Sequence, residues 1–400
     1  MNVTIADNLP DEAIQQLEEL GLTVDNNPGL KEGDLSEGLP EAQILVVRST
    51  VVSKECINNS PKLSLIIRAG AGVNNIDIEA ASGKGIYVAN CPGKNAIAVA
   101  ELTMGLILSL DRYIPQNVAS FEEGEWKKSV YSKADGLFGK TLGIVGLGMI
   151  GSEVVKRAKA FGLDVVGWSR SLTPQKAEEM GIGFKSSIEE LAKSSDILSI
   201  HLAMNSETKG IISKKILSEL KNGSMVINTS RSGVIDEDAL IDELKSGRLK
   251  AGLDVFSDEP EYKEGDFESR FQGIENVYIT HHIGASTRQA QLAVANDAVD
   301  IVRGYLQEGK VRNWLNRCEH TESPWQLVVR HYDKPGVIAN VMNELKEASI
   351  NAQELENVIF DRKLAACCTI QLDAEPSDKV LQNIRTRQDE VISATLVPRG

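Results

Sequence analysis

The chain has 400 residues, too many for one hydrophobic core, so two or three domains are expected. Its 43 Lys and Arg stand against 57 Asp and Glu, a formal charge of −14 with no basic block, which argues against nucleic acid or an anionic membrane as partner. No apolar run reaches transmembrane length, the opening MNVTIADNLPDEAI carries no secretory pattern, and Cys56, Cys91, Cys318, Cys367 and Cys368 lack metal-type spacing; the expectation is a reduced, cytoplasmic protein without metal.

Along the first ninety residues, short apolar strands at 3–6, 44–47, 65–67 and 86–89 alternate with helical or turn segments such as 10–20. That pattern predicts a small parallel α/β sheet. A long helix over 96–111 then leads away from it. From about 139 to 282 a second α/β unit is expected, with strands at 142–145, 164–167, 197–200, 225–228, 251–254 and 277–279. One of its helices, 236–246, is capped by Asp236 and stopped by Gly247. Another long helix, 286–307, suggests that the chain returns to the first unit and makes it discontinuous. Two units joined by two helices would form a cleft, where ligands bind. Residues 313–323 are polar and aperiodic and read as a linker. Beyond them, 326–331, 337–348, 356–359, 364–372, 377–385 and 391–397 read βαββαβ, a ferredoxin-like domain.

The most telling segment is TLGIVGLGMIGSEVVKRAKAFGLDVVGWSRS, 141–171: strand, glycine turn, helix, second strand. Gly146 allows a tight turn, Gly148 lets the backbone approach a pyrophosphate, and Gly151 lets the helix pack on the strand. The N–H groups at Met149 and Ile150 would then face the phosphates. This is a doubly wound, Rossmann-type dinucleotide site. At the end of the second strand an acidic residue would mark NAD. The chain has Ser169 and Arg170 there, a hydroxyl and a guanidinium that suit the 2′-phosphate of NADP.

Three charged residues follow at strand ends or in loops: Arg231 in INTSRSGVIDE, Glu259 in GLDVFSDEP and His282 in ITHHIGAST. The carboxyl ends of strands line the crevice of a doubly wound sheet, so the three could converge there. A histidine can take the proton of an alcohol being oxidised, a glutamate can orient the ring and raise its pKa, and an arginine can clamp an α-carboxylate. His281 competes with His282 on sequence alone.

These motifs, in this order, resemble the D-isomer-specific 2-hydroxyacid dehydrogenase family, and the likeness covers nearly the whole chain. VVRST at 46–50 and RAGAGVNNID at 68–77 resemble the substrate loops of its phosphoglycerate-oxidising branch, and the C-terminal segment resembles an ACT domain. The resemblance implies three domains. They are a discontinuous, flavodoxin-like substrate domain (1–95 and 284–315), a Rossmann-type cofactor domain (96–283) and a ferredoxin-like ACT domain (325–400). It also implies that 3-phosphoglycerate is oxidised to 3-phosphohydroxypyruvate at the start of serine biosynthesis. His282 then matches the acid/base, Glu259 its partner and Arg231 the carboxylate and carbonyl clamp. The Ala69, Gly70, Ala71 and Gly72 backbone matches the carboxylate cradle, and Arg48 and Arg68 match the phosphate-binding positions. Asp254 and the Thr229 carbonyl match the nicotinamide-holding positions. Residues 121–140 resemble a dimerisation arm, implying a homo-oligomer, dimer or tetramer. His331, Asp333 and Asn351 match positions that hold an amino-acid effector, L-serine, between paired ACT domains.

Ser169 stands where this branch usually carries an acid, which resembles NADPH-using glyoxylate and hydroxypyruvate reductases. NAD(H) and NADP(H) both stay open, as does a reductase acting on the unphosphorylated keto acid. A dinucleotide-sensing protein on the same scaffold is a third reading, against which the intact Arg231, Glu259 and His282 speak.

Overall fold

The computed structural model describes residues 1–30, 32–260, 265–318 and 321–399, in two compact units, 1–316 and 317–400.

The first unit is built on two parallel sheets. The first has β1 (Asn2–Ile5), β2 (Thr23–Asn26), β3 (Ile44–Val47), β4 (Leu65–Arg68) and β5 (Tyr87–Asn90), in the order β2-β1-β3-β4-β5. The second has β6 (Thr141–Val145), β7 (Asp164–Trp168), β8 (Gly183–Phe184), β9 (Ile197–Ile200), β10 (Met225–Asn228), β11 (Lys250–Leu253) and β12 (Val277–Ile279). Its order is β12-β11-β10-β9-β6-β7-β8. Both sheets bury both faces, so the inner strands are mostly apolar; β3 (ILVV) and β9 (ILSI) are buried at every position. The outermost strands β2 and β8 were not expected from the sequence. β2 (TVDN) is polar and mostly exposed, as an edge strand should be, and β8 has only two residues.

Strand order reverses between β1 and β3 in one sheet and between β6 and β9 in the other. At such switch points neighbouring loops diverge and leave a crevice. The 17-residue helix Ala96–Arg112 packs in the core of the second sheet through Ala100, Met104, Ile107 and Leu110. The 21-residue helix Arg288–Glu308 instead returns to the first sheet, packing Ala295, Ala298, Val299 and Val302 against Val3, Ile5, Val46 and Ile67. Residues 313–316 are not the start of a linker. Leu315 N–H bonds Val88 O, Asn316 Oδ1 accepts the Val88 N–H, and Trp314 stacks edge-on against Tyr87. Backbone pairing along the outer edge of β5 supplies what their polar, aperiodic sequence hid.

The second unit is an antiparallel sheet of β13 (Trp325–Tyr332), β14 (Ala352–Ile359), β15 (Ala365–Leu372) and β16 (Val391–Pro398), in the order β14-β15-β13-β16. Helices Val337–Glu347 and Asp378–Arg385 complete a βαββαβ, ACT-like fold. Their apolar stripes meet Leu327, Val329, Cys368 and Ile370 in a core of its own. Adjacent Cys367 and Cys368 point to opposite faces, and only Cys368 is buried.

Candidate active site

At the second sheet's switch point, β6 ends in the glycine turn. Gly146 has φ +95°, and a Cβ there would lie 2.5 Å from His201 O. A Cβ at Gly151 would lie 2.1 Å from Gly146 O, whereas one at Gly148 would meet nothing within 4 Å. The first and third glycines therefore answer to packing, and the second leaves an open approach. Helix Met149–Ala160 starts there with no side-chain cap, and its first internal bond runs from Ser152 N–H to Gly148 O. The N–H groups of Met149, Ile150 and Gly151 are left at the helix end, where an anion is stabilised. These residues fit a dinucleotide pyrophosphate. Met149 also lies against Gly93, where a Cβ would sit 2.2 Å from its Sδ.

Trp168, Ser169, Arg170 and Ser171 close one wall of an adjoining cavity of about 260 Å³, facing His201, Asn205 and Glu207. Arg170 and Glu207 form an ion pair across it. Burial pushes the His201 imidazole down to about 3; its Nε2 bonds Ser199 Oγ and its buried Nδ1 has no partner.

The second group gathers from both sheets. Arg48, Arg68, Gly72, Arg231, Glu259 and His282 share a cavity of about 460 Å³. An adjoining one of about 270 Å³ is lined by Arg48, Arg68, Ala69, Gly70, Asn95 and His282. His281 lines neither.

Asp254, buried at the end of β11, fixes the histidine loop. Its Oδ1 accepts from Thr280 Oγ1 at 2.6 Å and Ile283 N–H at 2.8 Å, and its Oδ2 accepts from Gly284 N–H at 2.8 Å. Between those anchors His282 takes φ +52°, a left-handed conformation that a non-glycine residue rarely holds without such support. Glu259 Oε1 accepts the Phe256 N–H, and Oε2 lies 2.7 Å from His282 Nδ1. That hydrogen bond, with the carboxylate's charge, raises the imidazole pKa above its ordinary 6.5 against the opposing effect of burial.

Asn228 presents Arg231: its Nδ2 donates to Arg231 O and its Oδ1 accepts from Ser230 N–H and Oγ. A Cβ at Gly72 would lie 2.8 Å from an Arg231 Nη2, so the guanidinium runs beside the Ala69–Gly72 loop. Arg68 folds back over Gly70, where a Cβ would lie 1.5 Å from its Nη1. Burial, then the neighbouring Arg231 and Arg48, lowers the Arg68 pKa, and its buried Nε has no partner. Within the cradle, Ala69 N–H is taken by Val47 O, the β3–β4 ladder running on one residue past the strand, and Gly70 N–H by Arg68 O in a tight local turn. Of the four N–H groups expected there, Ala71 and Gly72 are the two with no partner among the described hydrogen bonds. Thr229 is buried, with Oγ1 3.0 Å from Thr103 Oγ1.

Sequence reasoning missed Asp7. Its carboxylate accepts N–H bonds from Arg48, Ser49 and Thr50 and the Ser49 hydroxyl, bracing the loop that carries Arg48. Burial alone would raise its pKa; those donors outweigh it and hold the pKa low. An aspartate directly after an apolar strand, in VTIAD, was the available signal. Glu207 and His201 were missed too, since nothing local marks them.

In the second unit, the residues expected to hold an effector do not converge within one chain. His331 pairs with Ala366 on β15, whereas Ala352, next to Asn351, pairs with Leu372, about 20 Å further along the strand. Nor does His331 offer a free ring nitrogen: it is buried, with Nδ1 at Tyr332 O and Nε2 at Asn357 Oδ1. It sits on the helix-covered face of β13, with Leu327 and Val329. Asp333 and Asn351 are exposed.

Residues 104–284 match the NAD-binding domain of the D-isomer-specific 2-hydroxyacid dehydrogenases. A hydroxypyruvate reductase of Thermotoga maritima is 40% identical over 304 residues, 74% of this chain and 96% of that protein. The chain belongs to the D-isomer-specific 2-hydroxyacid dehydrogenase family. Within that family, D-3-phosphoglycerate dehydrogenase of Methanocaldococcus jannaschii is 39% identical over 373 residues, 91% of this chain and 68% of that one. The chain spans 64–68% of the length of the phosphoglycerate dehydrogenases it matches first. Among solved dehydrogenase structures, NAD+-bound 3-phosphoglycerate dehydrogenase of Entamoeba histolytica superposes with a TM-score of 0.66 at 27% identity, covering 79% of this chain and 99% of that one.

Proposed function

We propose that the protein is a D-3-phosphoglycerate dehydrogenase, interconverting 3-phosphoglycerate and 3-phosphohydroxypyruvate with a nicotinamide dinucleotide at the entry to serine biosynthesis. The observation that carries this is the convergence of Arg48, Arg68 and Arg231 on the cavity that holds His282 and Glu259. In a chain of charge −14, three guanidiniums at one opening, one of them with an unpartnered buried Nε, call for a substrate with two anionic groups.

The substrate domain in this reading is 1–95 with 284–315, and the cofactor domain 96–283. Gly146–Gly151 would hold the pyrophosphate, Ser169 and Arg170 the adenosine end, and Thr229 and Asp254 the carboxamide; the nicotinamide, when bound, supplies hydride acceptor or donor. His282, with Nδ1 engaged by Glu259, takes the substrate hydroxyl proton at Nε2 and returns it in the reverse direction. Arg231 and the Ala71–Gly72 N–H groups hold the α-carboxylate, Arg231 also polarising the carbonyl, while Arg48 and Arg68 hold the phosphate. Exposed Phe121, Trp126 and Phe138 on the 121–140 arm support a homo-oligomer, and buried Cys56, Cys91 and Cys368 suit a reducing cytoplasm. L-serine is the effector in this reading; Asp333 and Asn351 would meet one ligand only across two copies.

A second reading, an NADPH-preferring hydroxypyruvate or glyoxylate reductase, is favoured by Ser169–Arg170 and by the Thermotoga relative. Rates with phosphohydroxypyruvate and hydroxypyruvate, each with NADH and NADPH, separate the two. The expected result is a strong preference for the phosphorylated keto acid, cut about 10- to 100-fold by Arg68→Ala with little change for hydroxypyruvate. Equal kcat/KM for the two keto acids would establish the reductase instead.

A further inference from the structure

The adenosine end of the crevice carries an ion pair that the reaction itself does not require. Arg170 leaves the end of β7, Glu207 leaves the loop after β9, and their side chains meet across the cavity between them. Glu207 is presented by a braced turn: Asn205 Oδ1 accepts the N–H groups of Glu207 and Thr208, both at 2.9 Å, and Thr208 Oγ1 donates to Ala203 O at 2.7 Å. We infer that Glu207, given the dinucleotide reading of this crevice, is the residue that selects against a 2′-phosphorylated adenosine.

The strand end lacks the acidic residue that would repel a 2′-phosphate, and Arg170 by itself would attract one. Glu207 already holds that guanidinium and adds a negative charge on the facing wall. A 2′-phosphate, close to a dianion, has to displace the carboxylate or sit beside it. An unphosphorylated ribose brings only hydroxyls, which Ser169 and the Glu207 carboxylate can both accept. The repulsive element absent from β7 is thus supplied from the opposite side of the pocket, where the sequence around the glycine turn gives no sign of it. Because both partners are about 70% exposed, the pair is screened and its effect is moderate.

The test is the affinity of the whole chain for NADH and for NADPH, measured by nicotinamide fluorescence, in wild type, Glu207→Gln, Arg170→Ala and the double variant. Glu207→Gln is expected to tighten NADPH about fivefold and to leave NADH within about twofold. Arg170→Ala should weaken NADPH and reduce the gain in the double variant, leaving the part due to the Glu207 charge itself. An NADPH-to-NADH ratio unmoved by Glu207→Gln overturns the assignment to Glu207. If wild type binds neither dinucleotide, the reading of the crevice falls and the selectivity role with it.

Discussion

His282 is held in an unfavourable backbone conformation by its neighbours, chiefly Asp254 through Thr280, Ile283 and Gly284. Asp254 under the loop and Glu259 at Nδ1 fix the position of the ring, and both carboxylates favour its protonated form. The raised pKa sets the sign of the pH dependence. Oxidation needs neutral imidazole, so its rate should climb as pH passes upward through that pKa, while reduction, which needs imidazolium, declines over the same range. Glu259→Gln removes the charged acceptor and lowers the pKa, moving the rising limb of oxidation to lower pH; a pH profile of kcat/KM for both directions checks this. His282→Ala should cost about 10²- to 10⁴-fold in kcat while the dinucleotide still binds. Unchanged turnover would reject His282 as the base.

The strand–turn–helix unit of 141–160 shows how packing and chemistry share three glycines. Gly151 lies under the carbonyl of Gly146, so a methyl group there meets backbone, which cannot swing aside as a side chain would. Gly151→Ala is expected to destabilise the first unit by about 1–3 kcal/mol and to weaken either dinucleotide, because relief must come from moving the helix end proposed to hold the pyrophosphate. Thermal melting and coenzyme titration of this variant read both effects. Gly148→Ala, with open space around it, should keep the melting temperature and lose coenzyme affinity alone.

At the level of the molecule, the first unit brings the loops after β3, β4, β10, β11 and β12 to one cavity, from strands of two separate sheets. The second unit has its own helix-backed core, Leu327 to Ala394, and its own antiparallel sheet. A variant ending at residue 316 is therefore expected to fold and to bind dinucleotide. Isothermal titration with L-serine should give heat with the whole chain and none with this variant; absence of heat from the whole chain removes the effector.

Strand and helix positions were largely legible because buried parallel strands are uniformly apolar and helix ends carry caps, as Asp236 does for Glu237–Lys245. Edge strands β2 and β8 and the docking of 313–316 were not, since backbone pairing leaves little mark on side-chain pattern. Of the site, the glycine turn was readable as a contiguous motif, and Arg231, Glu259 and His282 were readable as residue types at strand ends. Preferring His282 to His281, and proposing Arg48 and Arg68 as substrate residues, needed family resemblance. What only the tertiary structure decided is which groups face each other across gaps that sequence distance does not measure. Asp7 braces the Arg48 loop 41 residues away, Glu207 meets Arg170 from 37 residues on, and six residues of strand separate His331 from the end where Asn351 stands. Local interactions write themselves into contiguous sequence, whereas charge pairs across a crevice are fixed by strand order, which no single segment encodes.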